Sequence, residues 1–513
     1  MNLSSRFLGR LVLIAGIFAG VMSLSAAEFK LASIFTDHAV LQRDAPVPVW
    51  GWADAGTEVT VEFAGQRKTI SADANGKWMV RLDPLKASAE PGTLTVTAAH
   101  ATASIVLKDI LVGEVWLGSG QSNMALAVKQ ANDFEKEKSA ANLPGVRMFK
   151  EESGPAGAAK ADSKGNWTVC TPDTVGGFSA TLFFFGREIH RALGVPVGLI
   201  NSSVGGTPIE RWIAPEAQRA TPALAPFFEA LNQPATNAPI VTADGYEEAL
   251  ARWKDAAKKA RAENQPVPGK PRKRSAQEAS KGNLGVLFNG KIAPLIPYGI
   301  RGAIWYQGEA NAKGAKSRFY QYQLPLLVKD WRTRWGYDFP FAWAQLPNFA
   351  AAEADWPMIR EAMLKTLALP KTGMGINIDI GEERNIHPKN KQEVGRRLSL
   401  WALGTVYGQK VVATSGPLPA GHEIRTGEVV LTFSHTDGGL VAKDGELKGF
   451  VIAGKDKQWR PAKASIAGDK VIVSSPDVTQ PAAVRYAWEN FPVCNLYNGA
   501  GLPASPFRTD DWN

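Results

Sequence analysis

Residues 114–124 read Glu-Val-Trp-Leu-Gly-Ser-Gly-Gln-Ser-Asn-Met. An apolar run at 114–117 breaks at a glycine-rich turn, and a helical stretch starts near Met124. Strand, tight turn and helix in that order form the repeating unit of a parallel α/β sheet. Further strand-like runs follow at 146–149, 197–200, 302–306, 341–345 and 375–379. Helical candidates lie between and after them at 179–193, 319–335 and 391–403. The last carries Val394, Leu398 and Trp401 at i, i+4 and i+7, which makes one apolar face. Residues 110–408 therefore read as an α/β body whose parallel sheet has helices on both faces. Ligands of such sheets bind beyond the carboxyl ends of the strands, so chemistry is sought just after each one.

The flanks differ from this body. Residues 28–109 contain short runs at 47–51, 58–63, 77–82 and 94–98, with turn residues at 54–56 and 74–76, the pattern of a small β-sandwich. Residues 409–513 are again β-rich, with runs at 429–433, 447–452, 470–474 and 483–488. An insertion at 216–281 interrupts the body. Its residues 246–262 read as a charged amphipathic helix, and Pro-Gly-Lys-Pro-Arg-Lys-Arg at 268–274 reads as a solvated loop.

Composition narrows the function classes. The 513 residues are 45% hydrophobic and 21% charged, which excludes global disorder, collagen and coiled coil. A net charge of +9 over this length is too diffuse for a nucleic-acid partner. Two cysteines, Cys170 and Cys494, exclude a disulfide-dense scaffold and a thiolate zinc cluster, and leave a single disulfide open. At the N-terminus, Arg6 and Arg10 precede the apolar run 11–22, and Ser25 and Ala27 stand at −3 and −1 of a cut before Glu28. That is a secretory signal over 1–27, whose twelve-residue apolar run is shorter than the ~20 residues that span a bilayer. The mature chain is expected to be exported, periplasmic or extracellular, with no membrane span. Nothing in the sequence sets an oligomeric state.

The strand ends carry the candidate chemistry. Ser122 follows the first, where it can act as a nucleophile or serve as a helix N-cap. Asn-Ser-Ser-Val-Gly-Gly-Thr at 201–207 follows the third, and Gly205 and Gly206 let backbone N–H groups approach a ligand or make a simple turn. Trp-Tyr-Gln-Gly-Glu-Ala-Asn at 305–311 offers the neutral donor Gln307, whereas Glu309 and Asn311 read as loop-structuring residues. Trp305, Tyr306 and Trp343 can stack on a sugar or pack the core. Among six histidines only His387 lies in a loop at a strand end, with Asp379, Glu382 and Glu383 near it in sequence. A serine nucleophile needs such a base, and the base needs a group to orient it.

The motifs GQSNM (120–124), VGGTPIERW (204–212), WYQGEAN (305–311) and DIGEERNIHPKNKQEVGRR (379–397) resemble those of the sialate O-acetylesterase family. FSATLFFFGREI (178–189) and YAWENFPVCNLYNGAGLPASPFRTD (486–510) match the same family, and only 216–281 of the mature chain falls outside the likeness. This family belongs to the SGNH hydrolase group, whose flavodoxin-like fold carries serine esterases. The resemblance implies Ser122 as nucleophile, His387 as base, and oxyanion donors at the Ser122 backbone, Gly205, Gly206 and Gln307. Many SGNH hydrolases carry Asp-x-x-His, but here that position is Arg384. Glu382 is then the first choice of acid, Asp379 the second and Glu383 the third.

The expectation is an exported serine esterase, needing no metal or cofactor, that removes O-acetyl groups from carbohydrates. Sialic acid esters come first as substrate and acetylated xylan second. A carbohydrate-binding protein that kept the fold and lost catalysis is the reading from a different class.

Overall fold

A computed structural model describes residues 29–99, 101–232, 240–241, 245–263, 265, 267–273, 284–350 and 354–512. The leader expected at 1–27 and parts of the 216–281 insertion lie outside them. The insertion's helix is present at Tyr246–Ala262, and its Arg272–Lys273 pairs in parallel with Ile240–Val241.

The central sheet is built from β1 (Ile105–Gly120), β2 (Leu143–Lys150), β3 (Trp167–Cys170), β4 (Val197–Ser203), β5 (Gly302–Tyr306), β6 (Phe341–Ala344) and β7 (Thr372–Gly375). Their spatial order is β3-β2-β4-β1-β5-β6-β7. All neighbours pair in parallel except β3 with β2. The order reverses at β1, whose carboxyl end opens into the crevice where ligands of doubly wound sheets bind.

Two layers of helices cover the sheet. On one face lie α2 (Ala180–Leu193) and α5 (Lys391–Trp401), with α1 (Ser122–Ala125) at the end of β1. Trp116 of β1 packs edge-on against Phe185 of α2 and Trp401 of α5. The two helices touch through Gly395, where a Cβ would lie 2.6 Å from the Phe185 backbone nitrogen. This close approach seats α5, and with it the loop just before it, over the end of β1. On the other face α3 (Tyr320–Trp335) and α4 (Trp356–Thr366) pack together, and Trp331 of α3 meets Trp305 of β5.

β1 is longer than its apolar core suggests. Its first half pairs with Ser88–Ala98 in the N-terminal β segment, and its second half is the middle of the parallel sheet. The boundary read from sequence at 109/110 thus falls within a single strand, with Ile110 through Gly120 buried. At the other edge, 375–379 was expected as a strand, but β7 ends at Gly375. The Asn377 side-chain amide donates to the Gly375 and Gln345 carbonyls, which draws the chain out of the ladder. The C-terminal segment forms two four-stranded antiparallel sheets around Val429, Ile452, Val471 and Val484.

Candidate active site

The end of β1 is shaped by Gly120, whose φ is +136° and whose Cβ, if present, would stand 2.1 Å from the Tyr306 carbonyl oxygen. Only glycine permits both that conformation and that approach. The Gln121 N–H then donates to the same carbonyl at 3.0 Å, which pins the turn to the end of β5. Gln121 is the residue preceding α1, so Ser122 is the helix's first residue rather than its cap. The Ser122 Oγ stands 2.8 Å from Nε2 of His387, 265 residues along the chain.

These two residues share a surface cavity of about 450 Å³ with Gly205, Leu126, Asn385 and Lys389. A Cβ on Gly205 would sit 3.5 Å from the Ser122 Cβ, so the glycine backbone lies directly beside the hydroxyl. Among the described residues, the Ser122 and Gly205 N–H groups make no hydrogen bond. Gly206 follows at φ +69°, which turns the chain away.

Gln307 is brought to the site's floor but not to its surface. It is fully buried, and its amide nitrogen donates to Asn311 Oδ1 at 2.8 Å and to Gln121 Oε1 and the Thr207 carbonyl at 3.2 Å each. Its Oε1 accepts from Tyr320 at 3.0 Å. With both hydrogens engaged, the residue is a tie between three loops rather than an open donor. Trp305, Tyr306 and Trp343 are likewise buried in the core, so none offers a face to a sugar.

The acid candidates are placed differently from the sequence expectation. Asp379 is held by a bidentate ion pair with Arg397, at 2.6 and 2.8 Å, and by the Tyr497 hydroxyl. Glu383 is exposed. Glu382 accepts from the Lys389 N–H at 2.8 Å and from the Asn385 side chain at 2.9 Å. Asn385 in turn accepts from the His387 N–H and donates to its carbonyl. Glu382 thereby fixes the loop that bears His387, while among the described residues no carboxylate bonds the imidazole Nδ1. Burial alone would raise the Glu382 carboxyl pKa, but the Lys389 N–H, the Asn385 amide and the charges of Lys389 and Lys391 together lower it.

Beneath the pair lies a buried network that the sequence did not reveal. The Asn123 amide nitrogen donates to Glu309 and to the Ile386 carbonyl, the latter at 3.0 Å. Its oxygen accepts from Lys391 Nζ at 2.6 Å. Glu309 keeps one carboxylate oxygen buried without a partner. Burial raises the Glu309 pKa, and burial lowers that of Lys391 to about 7 despite the opposing charges of Glu309 and Glu382. Lys391 stands three residues before Val394 on the apolar face of α5, and that position was the available signal. No group of three or more His, Cys, Asp or Glu side chains among the described residues is arranged to hold a metal. Cys170 and Cys494 are free thiols.

Three comparisons bear on this geometry. The family model for carbohydrate esterase, sialic acid-specific acetylesterase, matches residues 112–264. The sialate O-acetylesterase of Rattus norvegicus is 30% identical over 553 aligned residues, covering 98% of each chain. That of Homo sapiens is 28% identical, covering 93% of this chain and 92% of its own. The crystal structure of a carbohydrate acetylesterase from Xanthomonas citri superposes with a TM-score of 0.79 at 36% identity, over 94% of this chain and all of that one.

The pH behaviour of the site follows from its charges. Desolvation, then the Lys391 charge, lowers the His387 pKa below its ordinary value, which favours the neutral imidazole. If the neutral ring serves as the base, kcat/KM is full above that pKa and falls as pH drops through it. Replacing Lys391 with Met removes the positive neighbour and is expected to move the acid limb of the kcat/KM–pH profile to higher pH. A limb that stays in place or moves lower contradicts this electrostatic account.

Proposed function

The chain belongs to the sialate O-acetylesterase family and is a carboxylic ester hydrolase acting on acetylated carbohydrate, and on that premise we propose that it cleaves sialic acid O-acetyl esters through Ser122 and His387. The observation that carries the reading is the 2.8 Å contact between Ser122 Oγ and His387 Nε2 in an open cavity. His387 takes the serine proton as Oγ attacks the acetyl carbonyl, and returns it to the departing sugar hydroxyl. Water activated by the same imidazole then releases acetate from the acetyl-serine. The nearness of Gly205 to Ser122, and the absence of a hydrogen bond from either N–H among the described residues, support these two groups as the donors to the tetrahedral oxyanion. Ala125 and Leu126 give the cavity an apolar wall for the acetyl methyl.

In this reading the catalytic unit is a Ser–His dyad, with Glu382 acting one step removed by holding Asn385 and Lys389. Gln307 acts through Gln121, whose turn presents Ser122. The strand order β4-β1-β5-β6-β7 corresponds to 2-1-3-4-5, which supports a flavodoxin-like SGNH body. The leader-like residues 1–27 support export.

Two measurements test the reading. Acetate release is compared on O-acetylated sialic acid, acetylated xylan and an aryl acetate. Ser122→Ala should lose at least about a thousandfold on all three while keeping its circular dichroism and Tm. The intact protein should favour the sialic ester by at least about tenfold in kcat/KM, a difference of about 1.4 kcal/mol. Activity retained in Ser122→Ala removes the mechanism, and equal rates on xylan remove the substrate assignment. Separately, Glu382→Gln should reduce kcat by less than about a hundredfold, whereas loss of a true triad acid costs about ten thousandfold. A loss of that larger size reinstates Glu382 as the acid.

A further inference from the structure

The eight tryptophans with no more than 2% exposure all lie between Trp50 and Trp356, ahead of the C-terminal β-rich segment. Trp459, Trp488 and Trp512 are different. They are half-buried, they come from the C-terminal segment, and they line one cavity of about 450 Å³. Its other wall, Gly314 to Arg318 with Asp355 and Met358, belongs to the catalytic body.

We infer that this cavity is a second carbohydrate subsite, one that takes a saccharide bearing a carboxylate. Indole rings offer flat apolar faces that suit the C–H faces of sugar rings. Here they are held rigidly. The Arg485 guanidinium lies 4.3 Å from the Trp459 ring centroid and 5.5 Å from that of Trp488, and Arg508 lies 5.1 Å from Trp488. Both arginines are locked from behind, Arg485 by Asp510 and Arg508 by Glu361, each through two hydrogen bonds. A platform fixed before binding loses little side-chain entropy when a ligand arrives.

Charge selects the ligand class. Arg485 and Arg508 are neutralised by their carboxylates, but Lys457 and Arg318 also line the cavity, and neither has a carboxylate partner among the described residues. Lys457 sits 5.3 Å over the Trp512 ring, so stacking surface and cation are side by side. Among the described residues Asp355 is the one carboxylate on the wall, and it accepts from Ser317 at 3.0 Å. A sugar ring with a carboxylate, whether sialic or uronic, matches that combination.

The location fits a longer substrate. Gly314 to Arg318 follow the loop that leaves the carboxyl end of β5, and Asp355 follows β6. Ser122 follows the carboxyl end of β1, the strand beside β5. Loops that leave the same end of the sheet thus line both cavities, which suits a longer saccharide held at the tryptophans.

The test uses the full chain with Ser122→Ala, so that binding is read without turnover. Titrations monitor intrinsic tryptophan fluorescence and heat with sialyllactose, a glucuronic-acid-bearing xylooligosaccharide and neutral xylotetraose. Saturable binding of either acidic saccharide at least about tenfold tighter than the neutral one is expected, and the tighter of the two identifies the sugar. Lys457→Glu, at an exposed position, and Trp512→Ala should each weaken acidic binding by about tenfold or more. In the Ser122-intact background the same two substitutions should leave aryl acetate turnover unchanged. Equal binding of the neutral sugar, no binding of either acidic one, or full affinity in Lys457→Glu overturns the inference. Because these readouts need no acetate release, failure here is distinct from failure of the esterase reading.

Discussion

The buried amide of Asn123 ties together the loops from which the site is made. One side chain joins the residue after Ser122 to the carbonyl before His387, to Glu309 from the end of β5, and to Lys391 at the start of α5. Hydrogen bonds to buried charged groups are worth about 1.5–3 kcal/mol each, and the larger effect is the penalty when one is removed. Without this amide, Glu309 and Lys391 would lose their shared partner in a buried setting, and the His387 loop would lose its direct tie to the Ser122 turn. Asn123 and Ile386 are the chain neighbours of Ser122 and His387, so this tie sits next to their 2.8 Å approach.

The same network sets the electrostatics. Glu309 and Lys391 are both desolvated, and each charge offsets part of the other's cost. Burial first, and then the Lys391 charge, lower the His387 pKa and favour its neutral form. Glu382 stiffens the loop from its far side through Asn385 and Lys389. Gln307 plays the corresponding part for the turn of Gln121. The placement of Ser122 and His387 is thus supplied by neutral amides and loop geometry, with the titratable groups held one layer back.

Much of this was legible in the chain itself. Apolar runs bounded by turn residues located 302–306 and 470–474 to the residue, and scarcity of histidine singled out His387, which stands 2.8 Å from Ser122. What escaped reading has common physical causes. The carboxylate question turned on where Arg397 and Asn385 point, and three acids within five residues look alike in sequence. Gln307 was recognised as an amide donor, but whether its hydrogens face a ligand depends on Asn311 and Gln121, which come from two different strand ends. Lys391 reads as a solvated residue at a helix start until α2 and α5 are packed through Gly395. The division at 109/110 failed to appear as a break because one strand can be amphipathic in its first half and fully buried in its second.

The central claim is that Ser122 is an activated nucleophile and that His387 activates it. Its most direct test is covalent labelling with a serine-reactive organophosphonate, read by intact mass and peptide mapping. One adduct per chain on Ser122, formed at least about a hundredfold more slowly in His387→Ala, is the predicted result. An adduct on another residue, or equal labelling rates with and without His387, would contradict the account.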